Sequence, residues 1–411
     1  MKNHNLNTEP PAGAPSLLPE RVQRANIGRL MIAQALAGAN AVVIYATGAI
    51  VGDSLAPAPA LATLPISIFV VGMAACIFPM GVLAQKYGRR AAFLAGAGAG
   101  VLTGVLAMLA VIVGSFWLFC LATFLGGSYA AVVLSFRFAA ADGVEPSRRA
   151  RALSLVMAGG VVAGVVGPQL VTWTMDIWPQ YPFAPTFLAQ AAVAAVSALV
   201  LLGVKLPMPT AEALGGGRQL GLIARQPRFI AAATCGAVSY MLMNFLMTAA
   251  PLAMHLCGHS QASANLGLQW HVIAMYAPSF FTGHLISRFG AVCVAVAGLA
   301  LTGLSAAVGL GGIEVMHFDG SLILLGLGWN LGFLGTSALV LECHLPEEKT
   351  RVQSLNDFIV FGVMAIGSFS SGGLLSAYGW NTVLWVSFLP LVLAAVALAL
   401  TVPKYKESVL R

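Results

Sequence analysis

The chain has 411 residues, of which 59% are hydrophobic and only 9% charged, with a formal net charge of +7. Soluble domains carry about a quarter charged residues, so an ordinary soluble protein is excluded and a membrane protein is expected. The basic excess reads as an orientation signal rather than a nucleic-acid surface, and no nucleic-acid partner is expected.

Residues 1–26 are polar and carry Pro10, Pro11, Pro15 and Pro19. They lack the apolar stretch and cleavage site of a signal peptide and read as a disordered cytoplasmic tail. Apolar runs of helical length then predict spans at 27–50, 61–83, 91–112, 115–139, 150–173 and 183–204. Residues 205–228 hold Gly215–Gly217 and four cations and read as a cytoplasmic linker. Six further spans follow at 229–254, 264–287, 291–311, 318–342, 351–375 and 380–402, then a cytoplasmic tail at 403–411. The expected fold is an all-α integral membrane protein of twelve transmembrane helices, in two pseudo-symmetric six-helix bundles at 27–204 and 229–402.

All 21 lysines and arginines fall in seven clusters, from the N-terminal Lys2, Arg21, Arg24 and Arg29 to the C-terminal Lys404, Lys406 and Arg411. Between neighbouring clusters there is room for two spans and one cation-free loop, so every cation falls on one face of the bilayer. This predicts a multi-pass protein of a bacterial-type inner (plasma) membrane with both termini cytoplasmic. The six cysteines show no CxxC pairing, and no His, Asp or Cys cluster has metal-ligand spacing. Neither a disulfide framework, a metal nor a cofactor is expected.

The two halves repeat each other. Gly81-Val-Leu83-Ala-Gln-Lys86-Tyr87-Gly88 matches Gly283-His-Leu285-Ile-Ser-Arg288-Phe289-Gly290, and Leu125-Gly126 with Tyr129 matches Leu325-Gly326 with Trp329. The same register pairs Asp142 with Glu342, Pro146 with Pro346, Arg151 with Arg351, Ser154 with Ser354 and Gly167 with Gly367. Twin six-helix halves with a cargo site near mid-membrane are an architecture of many secondary transporters.

Gly81-Val-Leu83-Ala84-Gln85-Lys86-Tyr87-Gly88-Arg89-Arg90 resembles the loop signature of the major facilitator superfamily between its second and third helices. The segment Ala141-Asp142 through Pro146, Arg149 and Arg151 resembles the loop after its fourth helix. Gly160, Gly164 and Gly167-Pro168 resemble in part the glycine-rich fifth helix of the family's exporters. The resemblance implies a twelve-helix secondary transporter that binds a small organic solute; protons are the expected coupling ion, which the motifs alone do not establish, and a monomer is the expected unit. Two positions depart from it: Gln85 stands where the family has a loop aspartate, and Thr123 where a proton-linked arginine is often found. On physical grounds alone, Gly81 and Gly88 permit a tight turn and close helix approach. Arg89 and Arg90 either latch a cytoplasmic gate through carboxylates and carbonyls or only fix topology. Asp142, Arg151, Glu342 and Arg351 complete the expected gate motif.

Polar groups inside a bilayer are costly, so each is a functional candidate. Asp357 lies about 9 Å into the eleventh span at 1.5 Å per residue. It either carries the coupling proton or pairs with Arg89, Arg137 or Arg351 when the cytoplasmic side closes; Asn356 beside it suits an interhelical hydrogen bond. His271, in Gln269-Trp270-His271, is a second coupling candidate because imidazole titrates near neutrality, the alternative being one interhelical hydrogen bond. Tyr129 and Trp329, equivalent by the repeat, are expected to face each other across the cavity or else to pack as ordinary aromatics. Gln34, Asn40, Tyr45, Tyr240, Asn244, Gln269 and Asn330 complete the cavity candidates, with helix packing as the alternative for each. Met241, Met243 and Met247 suit a pliable apolar wall. No ring of buried cations lines the expected cavity, although Arg137 is deep enough to reach inward. This tilts the cargo towards a neutral, zwitterionic or amphipathic aromatic molecule.

The leading functional expectation is ion-coupled export of an amphipathic compound by alternating access, that is, an antiporter. The alternative is uptake of a vitamin-like, flavin-type or aromatic nutrient, and a third reading is a non-transporting sensor or scaffold. A membrane enzyme is not expected, since HExxH and GxSxG are absent, and no lysine follows a glycine-rich nucleotide loop.

Overall fold

The computed structural model describes residues 18–58, 61, 64–142, 144–206 and 217–409. Residues 1–17 of the expected tail and Gly215 and Gly216 of the linker lie outside the described residues. The first helix, α1, runs Glu20–Leu55 and so begins seven residues earlier than the tail expectation of 1–26 allows. Pro19 ends the extended approach, and Glu20 places a negative charge on the positive helix end while pairing with Arg24 at 2.8 Å.

The first half continues with α2 (Leu64–Tyr87), α3 (Arg89–Val113), α4 (Phe116–Leu134), short α5 (Phe136–Ala141), α6 (Pro146–Thr174) and α7 (Ala184–Leu202). Short α8 (Leu220–Ala224) leads to α9 (Pro227–Leu256), α10 (Gln261–Tyr276), α11 (Ser279–Phe289), α12 (Ala291–Leu310), α13 (Val315–Leu341) and α14 (Lys349–Val409). Helix α14 is two arms joined at Gly379, whose φ of 78° and ψ of 174° are non-helical. It is helical through 403–409 of the segment expected as a C-terminal tail.

Among the described residues, 11 helices are long and apolar enough to cross a membrane, and α4 with α5 counts as one of them. The expected eighth span, 264–287, is not one of these, because Pro278 breaks it into α10 and α11 of 16 and 11 residues. Proline has no N–H and its ring clashes with the preceding turn. Large apolar side chains such as Trp117, Leu199, Phe281 and Leu389 are exposed around the outside. Only a hydrocarbon surrounding makes such a surface favourable, and the chain is a multi-pass membrane protein.

Helices α1–α7 pack on one another, as do α9–α14, and the two groups meet along α2 against α14 and α6 against α10 and α11. The meeting lines obey the repeat. A Cβ on Gly81 would strike the Ser354 hydroxyl, while one on Gly283 would strike Ser154 and the backbone at Arg151. Gly81 and Gly283 are equivalent, and so are Ser154 and Ser354, so the two contacts are images of each other. Within each half, Gly167 packs on Val42 and Gly367 on Met241. Gly88 and Gly290, also equivalent, both have φ of 85° and start α3 and α12 from a conformation that favours glycine.

Candidate functional site

Both halves contribute to one apolar cluster that includes Ile44, Phe69, Met157, Tyr240, Met243, Trp329, Phe333 and Phe361, with Tyr45, Met247 and Tyr276 packed against it. Its rings interlock. Trp329 stacks on Phe333 with centroids 5.2 Å apart and meets Tyr240 and Tyr276 edge-on, each at 5.5 Å. Tyr240 also meets Phe333 and Phe361 edge-on, and Tyr45 meets Phe69 at 5.4 Å. Gly160 lets Tyr276 of α10 lie flat on α6. Trp329 Nε1 and Asn244 Nδ2 are buried and find no partner among the described residues. The seam between the halves is therefore filled by interlocked aromatic rings and methionines.

A buried ion pair borders this cluster through Phe333. Arg137 Nη2 is 2.6 Å from Asp357 Oδ1, Nη1 binds the Leu134 carbonyl, and Nε is 3.2 Å from Ser337 Oγ. The guanidinium lies 4.3 Å and 4.5 Å from the centroids of Phe138 and Phe333. Ser135, which bonds back to Val132, separates α4 from α5 and sets the short helix that carries Arg137. Asn356 Nδ2 adds a bond of 3.1 Å to Asp357 Oδ1. Of the three cations expected opposite Asp357, the structure selects Arg137.

A second layer lies nearer the loops that carry the cation clusters. Asp142 Oδ2 forms ion pairs with Arg89 Nε at 2.8 Å and Lys349 Nζ at 3.1 Å, and Arg89 Nη2 donates to Gln353 Oε1 at 2.5 Å. Burial works against the Asp142 charge, but Arg89 and Lys349 outweigh it and hold the carboxyl below the usual carboxylate range. Gln353 Nε2 is 3.1 Å from His344 Nε2, and burial pushes the His344 imidazole down to about 4. Glu348 accepts from Arg218 Nε at 2.9 Å and Nη2 at 2.7 Å and from the Leu345 amide at 2.9 Å. The Arg218 bonds hold Glu348 at about 2. Glu342 pairs with Arg228 instead of crossing to the other half.

Gln85 is half-buried, Arg90 and Arg151 are exposed, and Arg351 is half-buried beside Gly217.

The structure disperses several cavity candidates. Tyr129 and Trp329 do not face each other: Tyr129 lies against Gly100 of α3 inside the first bundle, whereas Trp329 is in the shared cluster. Equivalence by repeat fixes depth in the membrane, but local packing fixes which way each ring turns. Gln269 is exposed, as is Trp270. His271 is buried on α10, with Nδ1 2.7 Å from the Leu322 carbonyl and Nε2 unpartnered among the described residues.

Asn330 is committed to the break at Pro278. Its Nδ2 donates to the Met275 carbonyl and to Ser279 Oγ, both at 2.6 Å, and its Oδ1 accepts from Thr282 Oγ1 at 2.7 Å. The Met275 carbonyl is one that an unbroken helix would pair with Ser279 N–H. Ser154 of the other half binds the Ser279 carbonyl and accepts from the Gly283 N–H at 3.1 Å. Gln34 and Asn40 are buried with unpartnered amide atoms among the described residues. Sequence reasoning missed Gln190, Gln353 and the His344 contact, and it gave Tyr276, Phe333 and Phe361 no role in the cavity. An aromatic residue once per turn or two on the seventh, tenth and eleventh spans was the available signal.

Two bundles related by repeat, meeting at an aromatic seam beside a buried ion pair, are the architecture of a membrane transporter of the secondary type. A sequence model described as Major Facilitator Superfamily matches residues 30–269 and 232–410, and the chain belongs to that family. The riboflavin transporter RfnT of Brucella anthropi is 46% identical over 380 residues, covering 92% of this chain and 96% of its own. The uncharacterized MFS-type transporter YdeG of Bacillus subtilis is 28% identical, with 83% of each chain covered. In fold, the chain is similar to the proton:xylose symporter XylE (TM-score 0.78, 12% identity, 93% and 96% covered). It is also similar to the human organic anion transporter MFSD10 (TM-score 0.74, 16% identity, 92% and 99% covered). It is not an enzyme.

Proposed function

We propose that the chain takes up a planar aromatic nutrient of the riboflavin type, coupled to protons, by alternating access between its two halves. The observation that carries this reading is the aromatic cluster of Tyr45, Tyr240, Tyr276, Trp329, Phe333 and Phe361, which both halves share at their seam. Flat aromatic walls without a free midplane charge suit a neutral fused-ring solute. The relative named for riboflavin transport supports the same choice, and the export reading that headed the sequence analysis gives way to its flavin-type alternative.

In this reading α10 and α11 together make the twelfth span, the halves comprise 27–204 and 229–402, the cation-bearing face is cytoplasmic and the working unit is a monomer. The conformation described is closed on that face by Arg137–Asp357 and the layer around Asp142. A proton delivered to Asp357 neutralises one member of the first pair and frees the halves to part. Release of the solute and of the proton to the cytoplasm restores the latch.

The test is uptake of radiolabelled riboflavin by cells that lack their own transporter and express this chain. Uptake that collapses with a protonophore is expected. Asp357→Asn should abolish accumulation against a gradient yet retain exchange of labelled for unlabelled solute. Absence of riboflavin uptake from well-expressed wild-type protein, with binding but no flux, would instead support a sensor.

A further inference from the structure

Arg218, at the end of the linker, grips the loop that joins α13 to α14. Its Nε and Nη2 donate to Glu348 at 2.9 Å and 2.7 Å, and its backbone N–H donates to the same carboxylate at 2.7 Å. Nη2 also reaches the Cys343 carbonyl at 3.3 Å, so one side chain spans both ends of the loop. Gly217 stands at φ 87°, a conformation that favours glycine, and a Cβ there would strike the Glu348 side chain. The Leu345 amide is a further donor to Glu348, whose side chain is wholly buried. A carboxylate held by a planar fork and two backbone amides is a fixed point.

The next residue is Lys349, whose Nζ lies 3.1 Å from Asp142 of the first half. The repeat offers an image of that crossing pair, Arg149 with Glu342. Arg149 instead donates to the Val144 carbonyl of its own loop, and Glu342 pairs with Arg228 of its own half. The repeat also offers an image of the Arg218 clip, with the charges exchanged: Arg148, equivalent to Glu348, pairs with Glu20 at 3.3 Å. Both of those side chains are more than half exposed, and a pair of that kind fixes little. The half whose loop is clipped is therefore the half whose cation crosses the seam.

We propose that Arg218 and Glu348 are positioning residues for the cytoplasmic gate, holding the first turn of α14 so that Lys349 meets Asp142. The proposal rests on the alternating-access reading above. A lysine ammonium is a point charge on a flexible stem, so its reach across the seam depends on a fixed backbone beneath it. Through this clip the linker acts on the gate itself as well as joining the two halves.

The experiment places a cysteine at Ala84, buried beside Gln353 and Asp357, in a full-length chain whose six native cysteines are replaced by alanine. Its labelling by a membrane-impermeant thiol reagent on inverted vesicles reads opening of the gate and needs no solute. Lys349→Gln should raise the labelling rate on the order of tenfold, the loss of one charge-assisted contact across the seam. Arg218→Gln and Glu348→Gln should each approach that rate. Arg218→Lys, which keeps the charge but not the fork, should rise less. In the Lys349→Gln background neither Arg218→Gln nor Glu348→Gln should add to the effect, whereas a general weakening of the fold would multiply with it. Arg148→Gln, in the exposed image of the clip, should leave the rate unchanged. An unaltered rate in Arg218→Gln, or effects that multiply with Lys349→Gln, would overturn the clip and leave the gate standing. An unaltered rate in Lys349→Gln would overturn the gate reading and the clip together.

Discussion

Arg137 and Ser337 lie 200 residues apart, the offset of the internal repeat, and they touch across the seam, Arg137 Nε to Ser337 Oγ at 3.2 Å. Equivalent positions in contact straddle the pseudo-two-fold axis, yet only one of them is charged. The Arg137–Asp357 bond consequently has no twin, since its image would join Ser337 to Met157. The repeat builds a symmetric hinge, and a single ion pair makes one of its states distinct.

That pair is buried, so removing one member strands the other. Arg137→Met or Asp357→Leu alone should destabilise the folded protein by about 3–5 kcal/mol, and the double substitution should recover most of the loss. Thermal unfolding of the purified variants in detergent measures both. Single variants with unchanged melting would show that the pair is not closed in the resting protein.

The two glycine contacts at the seam are images of each other, but what surrounds them differs. A Cβ on Gly81 meets only the Ser354 side chain, whereas one on Gly283 lies 2.7 Å from Arg151 Cα and 2.9 Å from the Ala150 carbonyl. Gly283→Ala should therefore impair closure more than Gly81→Ala. Ser354→Ala should rescue Gly81→Ala, while no single truncation rescues Gly283→Ala. Solvent accessibility of a cysteine placed at Ala84, buried beside Gln353 and Asp357, reads closure, and equal effects at the two glycines would count against this geometry.

Asn330 holds three bonds at the break in α10 and α11. Asn330→Leu leaves the Met275 carbonyl and the Ser279 hydroxyl short of a partner, while Thr282 Oγ1 keeps its bond to the Pro278 carbonyl, and should cost about 3 kcal/mol at 1–3 kcal/mol for each stranded group. Calorimetry or denaturant unfolding would register it, and a neutral substitution would mean that the break is held by other contacts.

The gate loop should also respond to acid. His344 stays neutral in the fold down to about 4, whereas its ordinary value is 6.5. Glu348 stays ionised down to about 2 against an ordinary 4.5. In both cases the unfolded chain takes up protons first as pH falls. Stabilisation is thus complete above pH 6.5, starts to fade below it through His344, and fades further below about 4.5 through Glu348. Melting temperatures recorded between pH 7.5 and 4 should fall along this course. His344→Gln should flatten the upper part of the curve, and an unchanged curve in that variant would remove His344 from the account.

Much of the architecture was legible in the sequence because bilayer insertion writes itself into long apolar runs and one-sided cations. The repeat went further: the equivalences of Gly81 with Gly283 and Ser154 with Ser354 are the contacts along which the halves meet. Three features were hidden. Pro278 lies inside an apolar run, and hydropathy does not register a break whose carbonyls are satisfied by Asn330 on a neighbouring helix. The outward turn of Tyr129 depends on the bare face of Gly100, a contact between helices that no pattern within the fourth span reveals. Gln190 falls in an ordinary apolar span, and no pattern within that span places it beside the unpaired Asn40 in one small pocket.

The most direct test of the central claim is counterflow in proteoliposomes preloaded with unlabelled riboflavin, comparing wild type with Trp329→Ala. Wild type should concentrate external labelled riboflavin transiently without any ion gradient, and Trp329→Ala, stripped of the ring that joins Tyr240, Tyr276 and Phe333, should lose most of that overshoot while still reconstituting. No overshoot in wild type, or a full one in Trp329→Ala, would contradict an aromatic cluster at the seam as the route of transport.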